Sequence, residues 1–152
     1  MEEQNLTFYN LGIAPKMLEV LERLKFVSPT PVQHSAIPMA IEGKDIVAVA
    51  QTGTGKTLAF GIPMIQSLAN TDHQGLILAP TRDLAIQVFD VLKYIMPAFK
   101  ISGVVLVGGM PMGKQIAQLR KKPQVIIATP GRLIDHLERR TISLKKVSMV
   151  VL

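Results

Sequence analysis

The stretch Ala50-Gln51-Thr52-Gly53-Thr54-Gly55-Lys56-Thr57, directly after the apolar run Ile46 to Val49, decides the fold. It reads as strand, glycine-rich loop and helix start, the pattern of a phosphate-binding loop. Gly53 and Gly55 permit a tight turn that brings backbone N–H groups close to phosphate oxygens, and the N-terminus of the following helix adds partial positive charge. Lys56 is then set to reach the terminal phosphates. Thr57 places a hydroxyl where such loops hold Mg2+, a hard cation that takes oxygen ligands and keeps several waters. The strict form of the loop begins with glycine, and Ala50 stands in that place. These residues alone admit ATP or GTP.

With 152 residues, 48% of them apolar, the chain can bury one good core and reads as one domain. It contains no cysteine, which excludes a disulfide framework or a zinc-thiolate site and fits a reducing compartment. The longest apolar runs have strand length, short of the roughly 20 residues that cross a bilayer. The acidic start Met1-Glu2-Glu3-Gln4 is unlike a secretory signal. An intracellular protein, cytoplasmic or nuclear and without membrane association, is expected.

The net charge of +6 is unevenly placed. Up to Gly113 there are eight Lys/Arg against nine Asp/Glu, whereas Lys114 to Leu152 holds nine Lys/Arg against Asp135 and Glu138. A polyanionic partner fits such clustering, and so do solvated helix ends at Arg120, Lys121, Lys122, Arg139, Arg140, Lys145 and Lys146. His34, His73 and His136 lack metal-ligand spacing and read as solvent-facing or hydrogen-bonded side chains.

Apolar spacing from Pro15 to Leu24 predicts an amphipathic helix with Pro in its first turn. Thr30 before Pro31 predicts an N-cap and a second helix that Pro38 bends and Gly43 ends. From Asp45 the pattern alternates. Strands are expected at Ile46 to Ala50, Leu76 to Ala79, Gly103 to Val107, Val125 to Ala128 and Val147 to Leu152. Helices are expected near Lys56 to Leu68, Leu84 to Met96, Gly113 to Arg120 and Leu133 to Arg139. Runs apolar at every position mark strands buried on both faces, hence a doubly wound, mostly parallel α/β sheet. Ligands of such sheets sit beyond the carboxyl ends of the strands, where the phosphate loop is expected. Two further loops belong to that edge. Pro80-Thr81-Arg82 follows the second strand and Thr129-Pro130-Gly131-Arg132 the fourth, each with a hydroxyl and an Arg at a helix start able to meet an anion. Gly108-Gly109 follows the third strand and allows close backbone approach. Together these loops suggest a surface for successive phosphates.

As a set, the motifs resemble the N-terminal RecA-like domain of a DEAD-box RNA helicase over nearly the whole chain. Phe8 lies seventeen residues ahead of Lys25-Phe26-Val27-Ser28-Pro29-Thr30-Pro31-Val32-Gln33, the layout of that family's Q motif. The phosphate loop, Pro-Thr-Arg, Gly-Gly and Thr-Pro-Gly-Arg motifs follow in family order. The resemblance implies a Q-motif region at 1–44 and a P-loop core at 45–152. It implies that Gln33 bonds the adenine edge and Phe8 stacks on the ring, selecting ATP. Ala50 and Gln51 to Thr57 would hold the phosphates, with Lys56 and Thr57 as catalytic contacts and Thr57 touching Mg2+. Pro80, Thr81, Arg82, Gly108, Gly109, Thr129, Pro130, Gly131 and Arg132 would hold RNA by its backbone, without sequence preference.

Two departures are mild: Lys25 replaces a common glycine, and Asp83 the usual Glu. The third is larger. The sequence stops before an Asp-Glu-Ala-Asp motif, and it holds neither the Ser-Ala-Thr segment nor the second RecA-like domain that supplies arginine fingers. The sheet is therefore expected to be incomplete at its C-terminal end, leaving a gap beside Ile46 to Ala50 and an exposed edge open to association. An ATP-dependent RNA helicase is the implied activity of the parent protein, without turnover by these 152 residues alone. A noncatalytic nucleotide- or RNA-binding module is the alternative.

Overall fold

The computed structural model describes residues 5–152, so the acidic stretch Met1-Glu2-Glu3-Gln4 lies outside the described residues. The chain divides into two compact units, one up to Ser67 and one from Leu68 to Leu152.

In the first unit, helix α1 (Pro15–Arg23) buries Met17, Val20 and Leu21, the apolar stripe that the spacing predicts. It closes in a Schellman motif: the Lys25 N–H donates to Glu22 O and the Phe26 N–H to Leu21 O, both at 2.9 Å. Lys25 thereby takes φ 63°, a left-handed position that glycine occupies without strain. Helix α2 (Pro31–Ile41) starts from a capping box, in which Thr30 accepts from the Gln33 N–H and the Gln33 side chain accepts from the Thr30 N–H. It runs through Pro38 and stops two residues before Gly43, whose φ is 80°. Helix α3 (Lys56–Leu68) matches its expected bounds.

The strand expected at Ile46 to Ala50 is not formed. No regular element includes this segment, and Val47 and Val49 are 95% and 96% exposed. A strand exists through the ladder bonds it shares with a neighbour. None of the described residues pairs with this segment, so Val47, Ala48 and Val49 stay exposed and only Ile46 and Ala50 are half-buried.

The second unit is a four-stranded, all-parallel sheet of β1 (Gln74–Leu78), β2 (Gly103–Leu106), β3 (Val125–Ala128) and β4 (Val147–Val151), in the order β2-β3-β1-β4. The central strand β3 is buried at every position and β1 nearly so. Edge strand β4 instead alternates between half-buried and exposed positions, with Ser148 and Val150 exposed, so one of its faces is uncovered among the described residues although Val150 is apolar. Among the described residues β4 pairs only with β1, which leaves its other edge open.

Helices α4 (Arg82–Leu92) and α6 (Pro130–Glu138) begin two or three residues earlier than their apolar periodicity indicates, directly after Thr81 and Thr129. Helix α5 (Met112–Leu119) is close to expectation. The helix expected to reach Met96 stops at Leu92 and gives way to a 3-10 turn at Met96–Phe99, since Pro97 lacks an N–H and disfavours helix before it. Helix α4 packs on β2 and β3, and α5 on β2. The core gathers Leu76, Val104, Leu106, Ile126, Ala128 and Leu133.

Because Lys25 pays for a left-handed backbone, Lys25→Gly should raise stability by about 0.5 to 1 kcal/mol, net of the entropy that glycine adds to the unfolded chain. Urea unfolding of both chains measures it.

Candidate functional site

In the phosphate loop, Gly53 and Gly55 have φ 81° and 87°, the conformations for which glycine was expected. The Thr54 hydroxyl donates to Gln51 O at 2.6 Å and closes the turn. A Cβ at Gly53 would meet nothing within 4 Å, so the backbone there faces open space. A Cβ at Gly55 would collide with the Gln33 carboxamide. Lys56 and Thr57 are the first two residues of α3, where N–H groups have no partner inside the helix. Lys56, Gln51 and Thr52 are exposed, and Ala50, Thr54 and Thr57 are half-buried. A phosphate chain fits this cradle. Among the described residues no three His, Cys, Asp or Glu gather to hold a metal.

Gln33 is only 3% exposed. Its Nε2 donates to Gly55 O at 3.0 Å while its Oε1 accepts from the Thr30 N–H at 2.9 Å, so this side chain ties the start of α2 to the phosphate loop. Each of its polar atoms keeps one further hydrogen-bonding position. Phe8 is buried as well, lining a cavity of about 240 Å³ with Leu18, Leu21, Phe26 and Val27. Most of its ring is covered by the chain itself, which the sequence did not indicate.

The three loops expected on one rim do meet in the second unit. Parallel β2, β3 and β1 are consecutive neighbours, so Gly108-Gly109, Thr129-Pro130-Gly131 and Pro80-Thr81-Arg82 follow the carboxyl ends of adjacent strands. Thr81 caps α4 through its hydroxyl, which accepts from the Leu84 N–H at 3.2 Å. The Arg82 guanidinium lies where a Cβ on Gly109 would be, and Gly109 has φ 77°. Pro80, Thr81, Arg82, Gly109, Pro130 and Gly131 are exposed, and Gly108 and Thr129 half-buried.

Arg132 behaves differently. Its side chain is 16% exposed and turned inward, with Nη1 donating to Met110 O at 3.0 Å and to Gln115 Oε1 at 3.3 Å. Sequence reasoning missed Gln115, 1% exposed, whose Nε2 donates to Val107 O at 2.9 Å. His136, fully buried, faces Gln115 Oε1 with Nε2 and Thr141 Oγ1 with Nδ1, both at 2.7 Å. A hydrogen-bonded His136 was among the expectations, but its partners were not. The one available signal was its place three residues after Leu133, on the buried stripe of α6.

The basic last third takes the second of the two readings its clustering allowed, solvated helix ends and loops. Arg120, Lys121 and Lys122 end α5, Arg139 and Arg140 end α6, and Lys145 and Lys146 precede β4. In a parallel sheet these segments lead into the amino ends of strands, opposite the rim. The Lys146 ammonium there meets Asp72 at 3.2 Å and holds that carboxyl below its usual pKa.

Burial first, and then the Arg132 charge, lowers the His136 pKa below the ordinary imidazole value. Below about pH 6.5 the unfolded chain therefore binds a proton that the native chain resists. This part of the stability is complete above about pH 6.5 and is lost as the pH falls beneath it. The urea midpoint should drop between about pH 7.5 and about pH 5.5, and His136→Gln should reduce that drop.

Residues 30–152 match the family model described as DEAD/DEAH box helicase. Among curated relatives, the ATP-dependent rRNA helicase RRP3 of Meyerozyma guilliermondii is 46% identical over 99% of this chain and 32% of its own length. RRP3 of Scheffersomyces stipitis is 48% identical over 96% and 31%. The chain thus spans about a third of the length of these relatives. Among solved structures, the RNA helicase Prp28 from Chaetomium thermophilum bound to ADP aligns with a TM-score of 0.86 and 34% identity, covering 95% of this chain and 37% of that one. A DEAD box protein from Methanococcus jannaschii aligns at 0.88 and 35%, covering 95% and 40%. With a family model covering most of its residues and a fold shared with helicase structures, the chain belongs to the DEAD/DEAH box helicase family.

Proposed function

We propose that this chain is the ATP- and RNA-binding part of an ATP-dependent RNA helicase, in which nucleotide binding is coupled to local opening of an RNA duplex. The observation that carries the reading is the loop from Gln51 to Thr57, with two left-handed glycines ahead of the start of α3 and Gln33 bonded to its Gly55. Its relatives are named as ATP-dependent rRNA helicases.

Backbone N–H groups of the loop bind and orient the phosphates, and Lys56 adds a mobile positive charge at their far end. Thr57 offers its hydroxyl to Mg2+, which when bound neutralises phosphate charge and aligns the terminal group. Gln33 reads adenine with one donor and one acceptor, while guanine presents the opposite pattern. Arg82, Gly109, Thr129 and Gly131 take successive RNA phosphates and sugars. This contact is electrostatic and indifferent to sequence. The second RecA-like domain of the family would complete the catalytic site, and the free edge of β4 is the place where a further strand or chain adds.

Two measurements test the reading. Gln33→Ala should weaken ATP by about 1 to 2 kcal/mol and GTP by less, since both lose the tie to Gly55 but only ATP loses a base contact. Calorimetric titration decides it, and equal losses remove Gln33 from the base site. Single-stranded RNA should bind weakly, with affinity falling steeply as salt rises. Arg82→Ala should reduce the log-log slope by about one. Salt-independent or strongly sequence-selective binding would refute the rim.

A further inference from the structure

We propose that Gln115 and His136 are positioning residues of the RNA rim, which hold the Gly108-Gly109 doublet against the start of α6 through one buried hydrogen-bonded chain. The proposal rests on the reading of that rim as an RNA surface.

The doublet is held on both sides by its neighbours' carbonyls. Before it, Val107 O accepts from Gln115 Nε2 at 2.9 Å. After it, Met110 O accepts from Arg132 Nη1 at 3.0 Å. The two anchors meet at a single atom, because Gln115 Oε1 accepts from Arg132 Nη1 at 3.3 Å and faces His136 Nε2 at 2.7 Å. With Gln115 Nε2 committed to a carbonyl, its Oε1 must be the acceptor, so His136 carries its proton on Nε2. In the neutral ring Nδ1 then accepts from the Thr141 hydroxyl at 2.7 Å, which turns that hydroxyl's one proton away from His136 O, 3.1 Å distant.

Local structure delivers each member of the chain. Helix α6 ends in a Schellman motif, with the Arg140 N–H on Leu137 O at 3.0 Å, the Thr141 N–H on His136 O at 3.0 Å and Arg140 at φ 55°. That turn brings Thr141 beneath the imidazole. On the same helix Asp135 lies 3.9 Å from Arg132 Nε and steadies the guanidinium from its outer side. The groups around the imidazole are thus Gln115 from α5, Thr141 from the turn after α6, Arg132 and Asp135 from its own helix and Arg139 from that helix's C-cap. Gln115 and His136 are buried and reach no ligand themselves. Their only route to RNA is the geometry of the doublet and of Arg132. The amide planes around Gly108 and Gly109 are the surface thereby fixed, and no Cβ contact stands over Gly108.

The test uses the 152-residue chain, a fluorescent single-stranded oligouridine, and amide NMR relaxation at Gly108 and Gly109. Gln115→Leu and His136→Leu should each weaken RNA binding about three- to tenfold, the size of one lost buried bond, and leave ATP affinity within about twofold. The double variant should lose no more than either single one, because the residues act as one unit. His136→Gln restores a donor to Gln115 Oε1 and should recover most of the affinity. In the Leu variants the order of the two glycine amides should fall. Folded Leu variants with unchanged RNA affinity and unchanged glycine order would overturn the proposal. If the Leu variants do not fold, His136→Asn replaces them, since its shorter amide cannot reach Gln115, and unchanged glycine order there overturns it equally. Arg82→Ala is the control. If it too leaves RNA binding intact, the rim reading itself has failed, whereas a loss in Arg82→Ala alone rejects only the positioning role.

Discussion

Parallel pairing aims every strand of the second unit in one direction, and this constraint governs where its chemistry lies. Neighbours β2, β3 and β1 share a register that ends together at Leu106, Ala128 and Leu78, so the segments that follow them emerge side by side. Thr129 keeps this alignment one step further, its N–H donating to Leu106 O at 3.1 Å. The ladder is affordable because its centre is dry. Val125, Ile126, Ile127 and Ala128 are all fully buried, and each large aliphatic side chain so placed contributes about 1.5 to 3 kcal/mol. A loop at the end of such a strand inherits a fixed origin, and its exposed residues can differ in chemistry without moving it.

Both units hold a glycine loop with a buried carboxamide. Gln33 donates to Gly55 O and accepts from the Thr30 N–H, while Gln115 donates to Val107 O and accepts from His136 and Arg132. An amide suits the task because it presents a donor and an acceptor without charge, so burial costs little once both are used. Among the described residues no buried side-chain polar atom lacks a partner. Glycine gives each loop the φ that it needs, and the amide removes the freedom that glycine would otherwise leave.

Charge follows a different rule. The Arg82 guanidinium is exposed on the rim, whereas most of the basic last third stands at helix ends on the opposite edge. Cations there meet the negative ends of helix dipoles. Lys122 and Arg140 even occupy left-handed turns, with φ 55° at each. Charge counted along the sequence left open whether the basic last third meets a polyanion or ends helices, because composition carries no direction. The strands supply it.

Much of the fold was legible locally. Thr30-Pro31 and Pro15 announced helix starts through capping and fixed φ, the glycines of the phosphate loop announced left-handed turns, and the all-apolar run Val125 to Ala128 announced a central strand. These are properties of a few consecutive residues, and the sequence determined them unaided, together with the family and the three rim loops. Other features depend on what arrives from elsewhere in the chain. Ile46 to Ala50 is as apolar as β3, yet it is no strand, because a strand requires a partner's N–H and C=O groups that no property of its own residues can provide. The inward turn of Arg132, the covering of Phe8 and the joining of Gln115 to His136 across twenty-one positions were likewise decided only by tertiary structure. Burial and hydrogen-bond partnership are relations between distant segments, so packing alone selects which polar side chain faces water and which completes a buried bond.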